Sequence, residues 1–325
     1  MSFPLSETPA APVAVHVVAV VVTHDRPLLL RRCLAAIAAQ SRRPDLVLVV
    51  DNASGAETAR ILGEFPEVRV LRQARNLGGA AGYRIGMAAA LQAGADWLWV
   101  MDDDGRPERE DCLALLLATA ARRGAALAAP LVLDVEDPGR LAFPVRVRGR
   151  TLFAAEPVRR QGEIDGFAHL FNGALIAGAL LHRIGLPDPR FVIRGDEVEF
   201  LYRARRAGAR IVLATGAAFL HPGSGAEIHP ILGGAYYATL PVDEGKRFHQ
   251  FRNRAWIFRR YRMWGWLAAD LVRYGCLHLV ERRDPRGFAR WAGATLTGLR
   301  GGFMRDAPRD AEGPDAAPEP VRLRP

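Results

Sequence analysis

Four apolar, β-branched runs, each closing on polar residues and each followed by a helical stretch, constrain this chain more than any other feature. "VHVVAVVV" begins at Val15 and runs into "THDRP". "LVLVV" (46–50) ends at Asp51. "VRVL" (68–71) leads to "RNLGG", and "WLWVM" (97–101) runs into "DDDG". Between them lie "PLLLRRCLAAIAAQ" from Pro27, a short segment at 57–62, and "GGAAGYRIGMAAALQAG" opening on glycines. Proline suits the first position of a helix. Alternation at these lengths predicts an α/β fold with a mostly parallel sheet and helices on both faces. Ligands of such sheets bind beyond the carboxyl ends of the strands, where the polar clusters fall.

The second half is less regular. "FNGALIAG" (171–178) reads as a strand, "RGDEVEFLYRARRAG" (194–208) as a loop entering a helix, and "ARIVLATGAAFLHPG" as a strand pair ending at His221. After about Gly234 the chain turns Arg- and aromatic-rich, and a helical reading fits. The expected division is a flexible N-terminus (1–11), an α/β domain (12–234), a mainly helical region (235–303) and a disordered tail (304–325).

Among its 325 residues, 44 Lys and Arg face 35 Asp and Glu, and Lys246 is the single lysine. A pI near 10.2 suits nucleic acid, an anionic membrane or phosphorylated substrates. Cys33, Cys112 and Cys276 form no CxxC pair, which argues against a zinc site or a disulfide framework and for reduced thiols in a cytosolic protein. No secretion signal is evident. The runs at 13–22 and 263–280 are interrupted by His16, and by Asp270 and Arg273, so neither predicts a transmembrane helix.

Three adjacent carboxylates at a strand end call for a positive partner. Residues two apart at a strand exit point to one side, so Asp102 and Asp104 are placed to share a divalent cation. Hard oxygen ligands suit Mg²⁺ or Mn²⁺, and a third ligand from His221, at another strand end, tilts preference toward Mn²⁺. A solvated acidic turn and a core histidine are the plain alternatives. Asp196 and Glu197 pair beside Arg194. They fit mutual pKa tuning for acid–base work or, as spacing alone favours, helix capping. Asp51 and Asn52 are placed to accept from a nucleoside. "NLGGAAG" (76–82) is a poor dinucleotide fingerprint, because its glycine spacing is wrong and it does not follow the first strand. "KRFHQFRNRAWIFRRYRMWGW" (246–266) fits a solvated helix surface, a nucleic-acid site or an anionic-membrane face. Trp256, Trp264 and Trp266 with flanking arginines favour the membrane, and no nucleic-acid motif appears.

Together, "VVTHDRP", "VVDNAS", "RNLGGAAGY", "WVMDDDG", "FNGALI", "IRGDEVEF" and "FLHPGSG" resemble the family 2 inverting glycosyltransferases of GT-A fold. "DPGRLAFPVR" (137–146), "HPILGG" (229–234), "DEGKRFHQFRNRAW" (243–256) and "ERRDPRGFARW" (281–291) are similar to the initiating galactofuranosyltransferases of mycobacterial-type cell-wall galactan synthesis. The resemblance runs in order from about Val17 to Trp291. It implies a UDP-galactofuranose donor and a rhamnosyl-N-acetylglucosamine acceptor on polyprenyl diphosphate. The protein would then be cytoplasmic and peripheral on the inner face of the cell membrane. Position by position, it implies Thr23, Asp51 and Asn76 in the uridine and donor pocket. Asp102 and Asp104 become the metal pair with Asp103 between them, His221 a metal ligand, and Asp196 the catalytic base. Arg194, Glu197, Tyr236, Arg252 and Arg254 become donor or acceptor contacts. The rivals are a dTDP-rhamnose rhamnosyltransferase, a catalytically idle nucleotide or glycan binder, and, on charge alone, a nucleic-acid-binding protein.

Overall fold

A computed structural model describes residues 15–302. The expected flexible terminus (1–11) and disordered tail (304–325) lie outside the described residues. Strands β1 (Val17–Thr23), β2 (Leu46–Asp51), β3 (Arg69–Arg72) and β4 (Trp97–Asp102) alternate with α1 (Pro27–Ala38), α2 (Ala56–Leu62) and α3 (Gly79–Gln92). β1 pairs in parallel with β2 and β4, and β2 with β3. Every residue of β1 is buried, which explains its unbroken valine-rich run. α1 buries Leu30, Cys33, Leu34 and Ile37, a helical stripe against one face. α3 lies on the other face and comes closer. A Cβ on Gly82 would stand 2.7 Å from Val22 Cγ1, and one on Gly86 would overlap Val20. The small residues of α3 therefore bring the helix down onto the end of β1.

The chain continues through β5 (Arg106–Pro107), α4 (Cys112–Arg123), β6 (Leu127–Asp134), the hairpin β7 (Arg140–Val147) and β8 (Arg150–Ala154), α5 (Ala155–Arg159) and β9 (Ile164–Asp165). Then come β10 (Asn172–Ala177), α6 (Gly178–Ile184), α7 (Asp196–Arg206) and β11 (Ile211–His221). The sheet order is β3-β2-β1-β4-β10-β6-β11-β5. β10 runs antiparallel to both β4 and β6, while β6 and β11 are parallel, so the sheet is mixed with a parallel majority along its centre. The stretch expected as a strand pair before His221 is one strand. Its register with β6 shifts between Ala214 and Ala218, a bulge at which Gly216 turns out to solvent. Both halves keep β6 as partner, so no turn forms.

β12 (Ile228–Ile231) and β13 (Tyr236–Thr239) form a small antiparallel hairpin, so the C-terminal region is helical only from α8 (Glu244–Arg260) onward. α9 (Trp264–Gly275) runs into a π-helical stretch, Cys276–Glu281, followed by α10 (Pro285–Leu299). Phe251, Tyr274, Leu277 and Trp291 form the core between these helices. Among the described residues, no helix is long and apolar enough to cross a membrane. The three cysteines are free thiols, with Cys33 and Cys112 buried.

Candidate active site

The parallel register sets Thr23 beside Asp51 and Val22 beside Asp102, so three strand ends deliver polar side chains to one edge. Asp103 turns back toward β1. It accepts from Thr23 Oγ1 at 2.6 Å and from Arg26 Nη1 at 3.1 Å and is almost fully buried. Arg26 also reaches Asp104 Oδ2 at 2.6 Å. Asp102 Oδ1 accepts from the Tyr83 hydroxyl at 2.7 Å, and the Tyr83 ring stacks on Phe171 at 3.7 Å.

β5 explains how Asp104 meets His221. It follows the carboxylates directly and pairs antiparallel with the end of β11, Leu220 opposite Arg106. Gly105 makes the approach possible, since a Cβ there would overlap the Phe219 ring. His221 Nε2 then stands 3.2 Å from Asp104 Oδ1. His221 Nδ1 lies 2.7 Å from the Pro222 carbonyl, which only accepts, so Nδ1 carries a proton. In the neutral ring, Nε2 therefore presents a lone pair to Asp104 Oδ1, a buried oxygen with no aligned hydrogen bond. Two facing lone pairs need a proton or a cation between them.

The charges say the same. Burial, then the neighbouring Asp104 charge, pushes Asp102 up to about 7. Burial also raises Asp103, against the pull of Thr23 and Arg26. For Asp104 burial is outweighed by His221 and Arg26, which hold it low. Burial works against a charged His221, but Asp104 wins and raises it. Among the described residues, no three His, Cys, Asp or Glu side chains close into a formed metal shell. Asp102, Asp104 and His221 nevertheless offer carboxylate oxygens and an imidazole nitrogen that faces Asp104. We expect Gly105→Ala to cost about 1–3 kcal/mol through overpacking. It should also separate Asp104 from His221; a thermal melt and a Mn²⁺ titration check both effects.

Asp196 begins α7 and is buried. The helix-capping alternative does not describe it. Gly195 holds the cap position, and Glu197 Oε2 accepts from the Gly195 backbone N–H at 2.9 Å. Burial, then the adjacent Glu197, lifts Asp196 well above the ordinary carboxylate range, and Asp102 adds to the rise. The loop leading to it is strained: Val192, Arg194 and Gly195 have φ of 63°, 65° and 95°. Asn253 of α8 holds it, with Nδ2 directed to the carbonyls of Phe191, Ile193 and Arg194 at 3.0, 3.1 and 2.6 Å. Gly78 closes the other side, where a Cβ would stand 2.5 Å from the Val192 carbonyl oxygen.

The remaining candidates divide. Asp51 is fully buried; Oδ1 accepts from the Ser54 N–H, and Oδ2 faces Arg72 Nη1 at 3.3 Å. Asn76 Oδ1 closes a turn onto the Gly78 N–H. Arg194 pairs with Glu227 at 2.8 Å. Tyr236 is exposed on the small hairpin. Arg252 is wholly buried, with Nε on Asn253 Oδ1 and Nη2 near His249. Arg254 is tied to Asp270 of α9. Thus Thr23, Asp103, Asp104 and His221 share one contact network through Arg26, with Asp102 and Asp196 in electrostatic reach, while Arg252 and Arg254 make their contacts within and beside α8. Sequence reasoning missed Arg26, Tyr83 and Asn253. Arg26 stood inside the quoted "THDRP", and Asn253 lay between the two arginines singled out.

The glycosyltransferase family 2 model matches residues 18–176. The galactofuranosyltransferase GlfT1 of Mycobacterium tuberculosis is 42% identical over 293 residues, covering 88% of this chain and 96% of the relative. GlfT1 of Mycolicibacterium smegmatis is 40% identical over 297 residues, covering 89% and 98%. Among solved structures, the first 349 residues of S. aureus TarS align with a TM-score of 0.56 at 13% identity, covering 88% of this chain and 82% of that one. GalNAc-T7, crystallised with UDP, GalNAc and Mn²⁺, aligns with a TM-score of 0.54 at 15% identity, covering 75% of this chain and 47% of its own. These two share the fold, as expected for a GT-A architecture. On the strength of its close, nearly full-length relatives, the chain belongs to glycosyltransferase family 2, alongside the mycobacterial galactofuranosyltransferases GlfT1.

Proposed function

We propose that the enzyme transfers galactofuranose from UDP-galactofuranose, with inversion, to a polyprenyl-diphosphate-linked rhamnosyl-N-acetylglucosamine, starting a galactan. The observation that carries this reading is a buried, proton-hungry carboxylate, Asp196, in electrostatic reach of a carboxylate–imidazole cluster suited to a cation. The name of the mycobacterial relatives, galactofuranosyltransferase, supports the sugar.

Asp102, Asp104 and His221 would hold Mn²⁺ or Mg²⁺. His221 Nε2 and Asp104 Oδ1, facing each other at 3.2 Å, support that assignment. When bound, the cation neutralises the negative charge that develops on the leaving UDP. Thr23, Asp51 and Asn76 line the donor side, with Asp103 bracing Thr23 and Arg26. Asp196 takes the proton of the acceptor hydroxyl, whose oxygen bonds to the anomeric carbon as the bond to the diphosphate oxygen breaks. Attack from the face opposite UDP inverts that carbon. Comparing the anomeric configuration of donor and product by NMR tests this; a retained configuration would remove Asp196 from the role of base. A polyprenyl anchor sets the reaction at the cytoplasmic membrane face, with the protein peripheral on an anionic surface.

The raised Asp196 gives a signed pH prediction. The base works only when deprotonated, so activity should rise with pH through an acid limb above the ordinary carboxylate range. Burial is the largest cause of the rise and the Glu197 charge the next. Glu197→Gln should therefore move the limb to lower pH without bringing it to that of an ordinary carboxylate. A kcat/KM profile with the limb unmoved would contradict the assignment.

A further inference from the structure

α9 is an amphipathic helix set the wrong way round for a water-facing one. Its charged residues point inward: Asp270 is buried and paired with Arg254 of α8 and with Arg273. Tyr274 packs on Phe251 and Trp291 at 4.8 and 5.6 Å. The outward face carries Trp264, Leu271, Val272 and, in the π-helical stretch, Leu279, spaced to share one side. Ala268 and Gly275 fill the gaps, so the stripe holds no charge over four turns. Trp266 and Val280 are also exposed, and the six large side chains leave 47–66% of their surface open.

Arginines bracket this stripe. Arg259, Arg260 and Arg262 precede it, and Arg282, Arg283, Arg286 and Arg290 follow, all exposed. Residues 259–290 hold eight arginines against three carboxylates. One of these, Asp270, is buried, and Asp284 caps α10.

We infer that the outward face of α9 and the adjoining π-helical stretch is a docking surface for an anionic lipid bilayer. The apolar stripe enters the acyl boundary and the arginines at both ends meet lipid phosphates. Charge decides between this occupant and a second copy of the chain. Two such faces packed together would set arginine ends against arginine ends, whereas an anionic bilayer complements them. The surface is joined to the chemistry by two side-chain links. Arg254 and Asp270 tie α9 to α8, and Asn253 of α8 holds the loop entering Asp196. The inference rests on the proposed lipid-linked acceptor only for its purpose. The surface stands on its own geometry.

The test is flotation of the full chain with phosphatidylcholine vesicles and with vesicles containing about one-third phosphatidylglycerol, at physiological and high salt. Wild-type protein should float with the anionic vesicles, less with neutral ones, and less at high salt. Trp264→Glu with Val272→Glu alters only exposed positions and should weaken flotation by about ten-fold or more. Its melting temperature and its transfer to a short-chain, water-soluble acceptor should stay unchanged. That last arm separates the two readings: activity on the soluble acceptor with no flotation of wild type would overturn the docking surface and leave the proposed function standing. Equal flotation of variant and wild type would also overturn it. So would a wild-type dimer that the two substitutions dissolve.

Discussion

Asp196→Asn is expected to lower kcat by about a thousand-fold, within the usual worth of a positioned general base. The substitution keeps the shape of the side chain and removes its capacity to take a proton. It also removes a negative charge from a buried place beside Glu197 and near Asp102, where that charge is disfavoured. The melting temperature should therefore hold or rise, and UDP affinity should persist, because the donor side rests on other residues. This pairing of outcomes separates a base from a structural carboxylate. An Asn variant with wild-type kcat would take the proton-transfer role away from Asp196, and one that failed to fold would make the residue a structural one.

Asn253→Ala should be the most damaging change outside the carboxylate cluster. One amide group serves three carbonyls of the loop 191–194, two of whose residues hold left-handed backbone conformations. Each buried carbonyl left without a partner costs about 1–3 kcal/mol. We therefore expect at least about 3 kcal/mol of lost stability. In a chain of this size that corresponds to a fall of at least about 4 °C in melting temperature. The surviving folded protein should show reduced kcat, because the loop sets where Asp196 sits. As a positioning residue, Asn253 should leave the pH limb of the remaining activity where Asp196 puts it. Unchanged melting and unchanged kcat together would remove this role.

The parts of the fold that could be read from the sequence are those whose signal is local. β1 to β4 each announce themselves as short apolar runs with helical spacing between them, and their ends carry Thr23, Asp51 and Asp102. Strand direction and pairing in the second half were not legible. Asn172–Ala177 reads as a strand, but nothing in "NGALIA" says that it runs antiparallel between β4 and β6. The stretch before His221 reads as a strand pair, and only pairing with β6 on both sides of the bulge keeps β11 one strand. The placing of Asp104 and His221 at two strand ends is legible, but the cause of their meeting, the two-residue strand after Gly105, is too short to leave a periodic signal. Asn253 was invisible for a related reason. Its meaning lies in carbonyls about sixty residues earlier in the chain. Arg252 and Arg254, which the family resemblance offers as donor or acceptor contacts, face Asn253 and Asp270, since a helix with arginines at alternate positions cannot turn both to one side.

The central claim is the reaction itself, and one assay addresses it most directly. Purified protein is given UDP-galactofuranose or dTDP-rhamnose with a rhamnosyl-N-acetylglucosamine lipid diphosphate, in Mn²⁺, Mg²⁺ or EDTA, and the product is followed by mass. The account predicts addition of a hexose from UDP-galactofuranose in the presence of a divalent cation, loss of transfer in EDTA, and recovery on adding the metal back. Transfer from dTDP-rhamnose in preference, or undiminished transfer in EDTA, would contradict it.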